Sequence, residues 1–213
     1  PQGQVRAASI FIANHSFENP IAPQKGTTGF YTINSSPVVI GGWLNERATG
    51  AQQGVLDPTK SQNLTKLDRF YNLQPVPDGV QVAYSNGGTI SQTLSETLRA
   101  NKQYTLGVYV GRRKVQGFPG YNIELLAGNT VLASNNSINP TAGTFAHVTV
   151  NYSSGNSSPL IGQALTIRLT SLGNQTNFDN ITLDASTIPE PSAMLGLLGF
   201  GLLVIASKLQ QKR

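Results

Sequence analysis

Glycine and asparagine interrupt short alternating runs along most of this chain, and that rhythm leaves room for little except β-structure. Val80–Tyr84 and Thr89–Leu94 alternate apolar and polar residues on either side of Asn86-Gly87-Gly88. The pattern predicts two strands joined as a hairpin. Tyr104–Val110 follows, with Leu106, Val108 and Val110 on one face, then Tyr121–Leu126, a turn at Ala127-Gly128-Asn129, and Val131–Ala133. Phe145–Tyr152, Leu165–Thr170 and Phe178–Leu183 close the series, and Ile10–Ile12 opens it. Successive side chains of a strand point to opposite faces, so each run offers one face to a core. Many such runs parted by Gly, Asn, Pro and Ser predict two packed sheets, a β-sandwich. No segment before Pro189 has an amphipathic helical period, and Ser95–Lys102 is expected to form a short turn. Leu56–Gly79, with Pro58, Pro75 and Pro77, reads as one long polar loop. A loop of that length inside a compact domain usually serves function.

The C-terminus follows a different logic. Pro189-Glu190-Pro191 is stiff and extended, because proline cannot sit inside a helix and pushes its predecessor out of the helical region. Ala193–Ala206 is wholly apolar or glycine, and Pro191–Ser207 is 17 residues without a charge. As a helix that span measures roughly 25 Å at about 1.5 Å per residue, the lower edge of what crosses a bilayer. Lys208, Lys212 and Arg213 finish the chain and belong on the cytoplasmic side, leaving everything before Pro189 outside. The triplet, span and basic end resemble the PEP-CTERM sorting signal of bacterial exported proteins. That resemblance implies an exosortase, a membrane-embedded transpeptidase-like protease, as the processing partner, and a Gram-negative envelope or extracellular matrix as the destination. The segment would be anchored transiently in the inner membrane by its helix.

Composition narrows the rest. The formal net charge is +5, but three of the fifteen cations sit in the tail, leaving 12 against 10 acidic residues. A body so close to neutral is not a nucleic-acid footprint, so no nucleic-acid partner is expected. The absence of cysteine excludes disulfides, thiolate metal sites and cysteine nucleophiles. Export presupposes a leader, so a signal peptide is expected to have preceded Pro1. Asn-x-Ser/Thr triplets recur, as at Asn14, Asn63 and Asn151, at a frequency that this much Asn and Ser produces by chance.

Along the body, Asn14–Pro20, the lone Trp43 after Gly41-Gly42, Asp78–Tyr84, Ile90–Leu94, Tyr104–Leu106 and Phe178–Leu183 recur in an order that resembles the galactose-binding-like jelly roll, a fold shared by many carbohydrate-binding modules. The expected architecture is therefore all-β: residues 1–8 an N-terminal remnant, 9–186 a jelly-roll β-sandwich, and 187–213 the sorting segment with a single hydrophobic helix. The resemblance also implies a structural Ca²⁺ held by Glu18, just after the first strand, and Asp179, in the last. Asn180 stands where relatives often have a second acid. A reading in which the two carboxylates merely accept backbone hydrogen bonds is equally open.

Little in the sequence suggests catalysis. His15 and His147 lie in different contexts, His147 within an alternating strand. No Gly-x-Ser-x-Gly elbow is present, and the ten acidic residues are scattered. Glu46, Asp57, Asp68 and Asp78 would have to converge to make a glycosidase pair. The chain is accordingly expected not to be an enzyme. Sugar rings stack their C–H faces on aromatic side chains, which makes Tyr31, Trp43, Phe70, Tyr71, Phe118 and Tyr121 the candidate binding residues, with Phe30 a further aromatic. Arg112 and Arg113, with Lys114, make a basic loop beside Phe118 suited to an acidic polysaccharide. Trp43, after Val38-Val39-Ile40, also reads as core. The expected function is an exported envelope or matrix protein engaging extracellular polysaccharide. The alternative is a structural or adhesive matrix component that works by protein–protein contact without sugar specificity.

Overall fold

The computed structural model describes residues 7–22, 30–33, 35–58 and 75–188. Every element in them is a strand: β1 (Ala8–Ser9), β2 (Phe30–Ile33), β3 (Val38–Ile40), β4 (Trp43–Arg47), β5 (Gln53–Leu56), β6 (Val82–Ser85), β7 (Gly88–Thr97), β8 (Lys102–Arg112), β9 (Tyr121–Ala127), β10 (Thr130–Asn135), β11 (Phe145–Ser153), β12 (Ala164–Ser171) and β13 (Thr176–Thr187). They form two antiparallel sheets packed as a jelly-roll β-sandwich. The seven-stranded sheet runs β11-β8-β13-β6-β5-β2, with β1 added to β13, and the six-stranded sheet runs β10-β9-β12-β7-β4-β3.

Alternation places the core where the sequence put it. Leu106, Val108 and Val110 of β8 and Phe178 and Leu183 of β13 meet Ile123, Leu125, Leu165, Ile167 and Leu169 of the facing sheet, all essentially without solvent contact. Each such side chain contributes about 1.5–3 kcal/mol relative to exposure, so this layer carries most of the fold's stability. Gly128 and Asn129 make the expected tight turn from β9 to β10, pairing Ala127 with Thr130.

The Asn86-Gly87-Gly88 turn behaves differently from expectation. β6 and β7 lie in different sheets, so the segment is a corner and not a hairpin. Gly87 and Gly88 take φ of 134° and 97°, a region open chiefly to glycine. Buried Gln53 holds the corner, its amide donating to Ser85 Oγ and to the carbonyls of Gly87 and Thr89. Ile10–Ile12 is likewise not a strand of its own. The opening strand is the two-residue β1, and Ile10 continues it only through its N–H to the Leu183 carbonyl. Pairing of β2 with β5 and of β3 with β4 was not read from the sequence, because these strands are only three to five residues long. The proposed tail helix and Pro189-Glu190-Pro191 fall outside the described residues. Among the described residues no helix is long and apolar enough to cross a membrane.

Candidate functional site

The chemistry concentrates on the outer face of the seven-stranded sheet. In β13 Phe178 turns into the core, so Asn177 and Asp179 project from the other side, and both are fully buried there. A register shift after Asp179, with Asn180 at φ 47°, returns Ile181 to the core; a bulge of this kind re-aims a side chain. Neighbouring strands furnish the surroundings. Val82 and Tyr84 of β6 and Leu56 of β5 form a second buried cluster, joined by Val76 and Phe145. Tyr109 of β8 pairs with Asp179 on one side and with His147 of β11 on the other, and the two rings lie 4.9 Å apart. Tyr84 Oη and Thr32 Oγ1 share a hydrogen bond of 2.8 Å; burial raises that phenol above its ordinary value of 10.0.

Asp179 is the unusual member. Its Oδ2 accepts the N–H of Asp78 at 3.0 Å and its Oδ1 that of Asn180 at 2.7 Å. These bonds favour the carboxylate, yet burial outweighs them, and Asp78 and Glu18 add like-charge repulsion. The result is a carboxyl pushed up from 3.8 to about 8. At neutral pH it is a carboxylic acid with a proton to give. Two residues along the same face, Asn177 donates its amide to the Ala83 carbonyl, while its buried Oδ1 has no hydrogen-bond partner among the described residues. A buried orphan acceptor is costly unless something supplies a donor.

Loop 13–22 builds the rim. Gln81 anchors it by donating to the carbonyls of Phe17 and Pro20 and accepting from Ala22, and Gln92 holds the N–H and carbonyl of Ala13. The loop thereby sets Glu18 Oε1 to accept from Val80 and Gln81, both at 2.9 Å, and His15 Nε2 3.4 Å from Asp78. Glu18 and Asp179, the two expected calcium ligands, are thus at one end of the site with backbone amides on their oxygens. Calcium takes six to eight oxygens, and among the described residues no group of three or more His, Asp or Glu side chains is assembled to hold a metal. The side chains present do not by themselves fit the ion, and no step below is routed through it.

Among the described residues the expected sugar-binding residues fall into two groups, Tyr31 with Trp43 and Arg112 with Phe118 and Tyr121. Trp43 is 1% exposed, stacked at 5.0 Å on Phe17, with its indole N–H donating to the carbonyls of Ala13 and Asn14. Tyr31 lies beside it along a cavity of about 20 Å³ between the sheets, room for roughly one water. Tyr121 is buried, its hydroxyl accepting from Ile138 N–H. Phe118 packs against it with ring centres 6.0 Å apart, and the Arg112 guanidinium lies over Phe118 at 6.0 Å. Arg112 also donates to Asn139 and Pro140, and Arg113 to Gln175. Phe70 and Tyr71 lie outside the described residues, as does the centre of the long loop.

The architecture and this site define a jelly-roll β-sandwich with a buried acid on one sheet face. Residues 8–184 match the HpiC1-like family, described as HpiC1 cyclase, and residues 187–212 match the PEP-CTERM protein-sorting motif. The chain belongs to the HpiC1-like cyclase family and carries a sorting motif that marks an exported protein and implies processing by an exosortase. Among solved structures it is similar to the Stig cyclase Fisc from Fischerella sp. TAU in complex with (3Z)-3-(1-methyl-2-pyrrolidinylidene)-3H-indole, with TM-score 0.71 and 29% identity over 86% of this chain and 100% of that one. It is similar also to a cyclase from Fischerella sp. TAU in complex with 4-(1H-indol-3-yl)butan-2-one, with TM-score 0.68 and 31% identity over 86% of this chain and 100% of that one. No curated protein sequence matches. Membership of a cyclase family overturns the expectation that the chain is not an enzyme. That expectation looked for paired carboxylates and nucleophile elbows, whereas a lone buried acid has no spacing to search for. From sequence Asp179 is expected as a calcium ligand or a backbone hydrogen-bond acceptor and His147 only as a residue of an alternating strand, while nothing local marks Asn177, Tyr84 or Tyr109.

Proposed function

We propose that this domain is an exported cyclase that closes a ring on an indole-class substrate by acid catalysis, with Asp179 as the proton donor. The observation that carries the reading is a buried carboxyl held protonated up to about 8 on a face lined by Tyr84, Tyr109 and Phe145. The indole ligands of the similar cyclases support the substrate class. Asn177 Oδ1, a buried acceptor without a donor among the described residues, would accept an indole N–H. Tyr109 offers an aromatic surface to a flat heteroaromatic. Protonation by Asp179 generates a carbocation on a side chain at indole C3. Carbon 2 of the ring attacks it, and loss of the C2 proton restores aromaticity, so the product is an isomer of the substrate. A water-poor site protects such a cation from capture.

A suitable probe is 3-(3-methylbut-2-enyl)indole, whose alkene occupies the place of the carbonyl in 4-(1H-indol-3-yl)butan-2-one. Asp179→Asn should lower its cyclisation about a hundredfold or more, the usual scale for a general acid. Turnover undiminished in this variant would defeat the reading.

Two further expectations stand as separate proposals. A structural calcium at Glu18 and Asp179 is the rival of the stored proton, because the ion needs Asp179 ionised and its remaining ligands from backbone oxygens, and it predicts a melting temperature that is higher in millimolar calcium than in chelator. Polysaccharide binding has support on the other sheet, where Glu46, Ser91, Thr93, Thr166 and Arg168 line a groove of about 430 Å³ rich in hydroxyls. Retardation in polysaccharide gels that is lost in a Thr93→Val, Thr166→Val double variant is its test. The apolar span after Pro191 completes the picture as a transient membrane anchor that delivers the domain to the envelope or matrix.

A further inference from the structure

We propose that His147 is the base that ends the reaction, an inference that rests on the acid-catalysed reading above and assigns its second proton transfer. The sheet places the three groups in one row. Asp179 pairs with Tyr109 and Tyr109 with His147, so acid, phenol and imidazole stand on consecutive strands with all three side chains on the outer face. Strands are spaced about 4.8 Å apart, which puts roughly 10 Å between the backbone positions of Asp179 and His147 and leaves the Tyr109 ring between them. A flat bicyclic ring lying over Tyr109 would therefore have the acid on its β13 side and the imidazole beside it, over Gly107 of β8.

The row also varies in burial in the sense that the chemistry needs. Asp179 is fully buried, Tyr109 half-buried and His147 exposed. The proton is donated where water is absent and removed where solvent can carry it away. Gly107, one pair further along the same strands, makes room for the imidazole: a Cβ there would lie 2.7 Å from His147 Nε2 and 2.7 Å from Thr182 Oγ1. The absence of a side chain at 107 lets the ring lie across β8 toward Thr182. Imidazole is the side chain that exchanges protons near neutrality, and general-base transfer needs it within reach of the proton it abstracts.

The step balances. After ring closure the cyclised cation holds hydrogen and the new carbon–carbon bond on indole C2. The C2–H bond breaks, its electron pair restores the aromatic ring, and the proton moves to His147 Nε2. Asp179, left as carboxylate by the first step, regains a proton and His147 gives one up, so no other reactant is consumed. Without the base, ring closure reverses and the side-chain cation leaves as an alkene isomer or, after water capture, as a tertiary alcohol.

The test uses the full chain and 3-(3-methylbut-2-enyl)indole, protio and deuterated at C2. His147→Gln should raise the share of alkene isomer and alcohol severalfold and introduce a primary isotope effect from C2 deuterium, and added imidazole should restore the ratio. Gly107→Ala, which keeps the imidazole but displaces it, should shift the ratio in the same direction. An unchanged product ratio and isotope effect in His147→Gln, with Asp179→Asn inactive, would overturn the assignment of the base and leave the acid reading standing. Turnover persisting in Asp179→Asn would remove both.

Discussion

On the outer face of the six-stranded sheet, Glu124 meets Arg168 at 2.6 Å, and the arginine side chain keeps about a third of its exposure (35%). On the outer face of the seven-stranded sheet, Asp179 is fully buried and its charged neighbours, Asp78 and Glu18, are themselves acidic. Both faces arise from the same strand alternation. The first carboxylate is paired across strands, and the hydrogen bond that Arg168 donates to it raises the guanidinium above its ordinary range. The second is denied water and a cation-rich setting, so it keeps its proton. One arrangement ties two strands together; the other stores an acid. What separates the two carboxyls is the partner, since both are buried but Glu124 has a guanidinium beside it and Asp179 has acids.

The contrast can be broken at several points. The largest effect is expected at Gly54, in the floor of the acid face. A Cβ there would lie 1.9 Å from the Tyr31 carbonyl and 3.0 Å from Tyr84 Cε1. Gly54→Ala must therefore part β2 from β5, and we expect a loss of about 3 kcal/mol or more in urea unfolding.

Asp179→Asn comes next and depends on pH. The folded-state carboxyl titrates near 8 against an ordinary 3.8, so folding favours the protonated form. The stability this contributes is present below about 4 and is lost as pH rises through about 8. Asparagine cannot ionise, but it can accept from only one of the two amides that now face the carboxyl oxygens. At pH 5 the variant should be less stable than the parent by about 1–3 kcal/mol. At pH 9 the gap should close or reverse. A gap of constant size across that range would mean that the carboxyl is not held neutral.

The smallest effect belongs to the other face. Thr93 and Thr166 share a hydrogen bond of 3.0 Å at the surface, and replacing both by valine removes donor and acceptor together. The double variant should stay within about 0.5 kcal/mol of the parent. A larger loss would show that the six-stranded face carries more of the fold than its exposed pairs suggest.

Legibility followed range along the chain. Long strands such as β8 and β13 were readable because alternation over seven or more residues survives chance. The corner at Asn86-Gly87-Gly88 was misread as a hairpin, since a turn's glycines say that the chain reverses but not which sheet receives it. The sorting segment was readable because its three signals are contiguous. The site was not. Asp179 and His147 are 32 residues apart in sequence and meet only through the register of three strands. The neighbours that surround the acid, Tyr109 of β8 and the Asp78 segment, are far from it in sequence, and no local pattern can report them. Asp179 and Glu18 stand out in the sequence as neighbours, and both accept backbone hydrogen bonds at one end of the site. Trp43, the aromatic most conspicuous in the sequence, serves the interior.

The central claim is that Asp179 holds its proton at neutral pH, and carboxyl-carbon NMR of the aspartate-labelled chain, titrated from pH 3 to 10 and assigned with Asp179→Asn, tests it most directly. We expect one aspartate resonance with a midpoint near 8 that is missing from the variant. If that resonance instead titrates near the ordinary value of 3.8, the stored acid does not exist and the cyclisation scheme built on it fails.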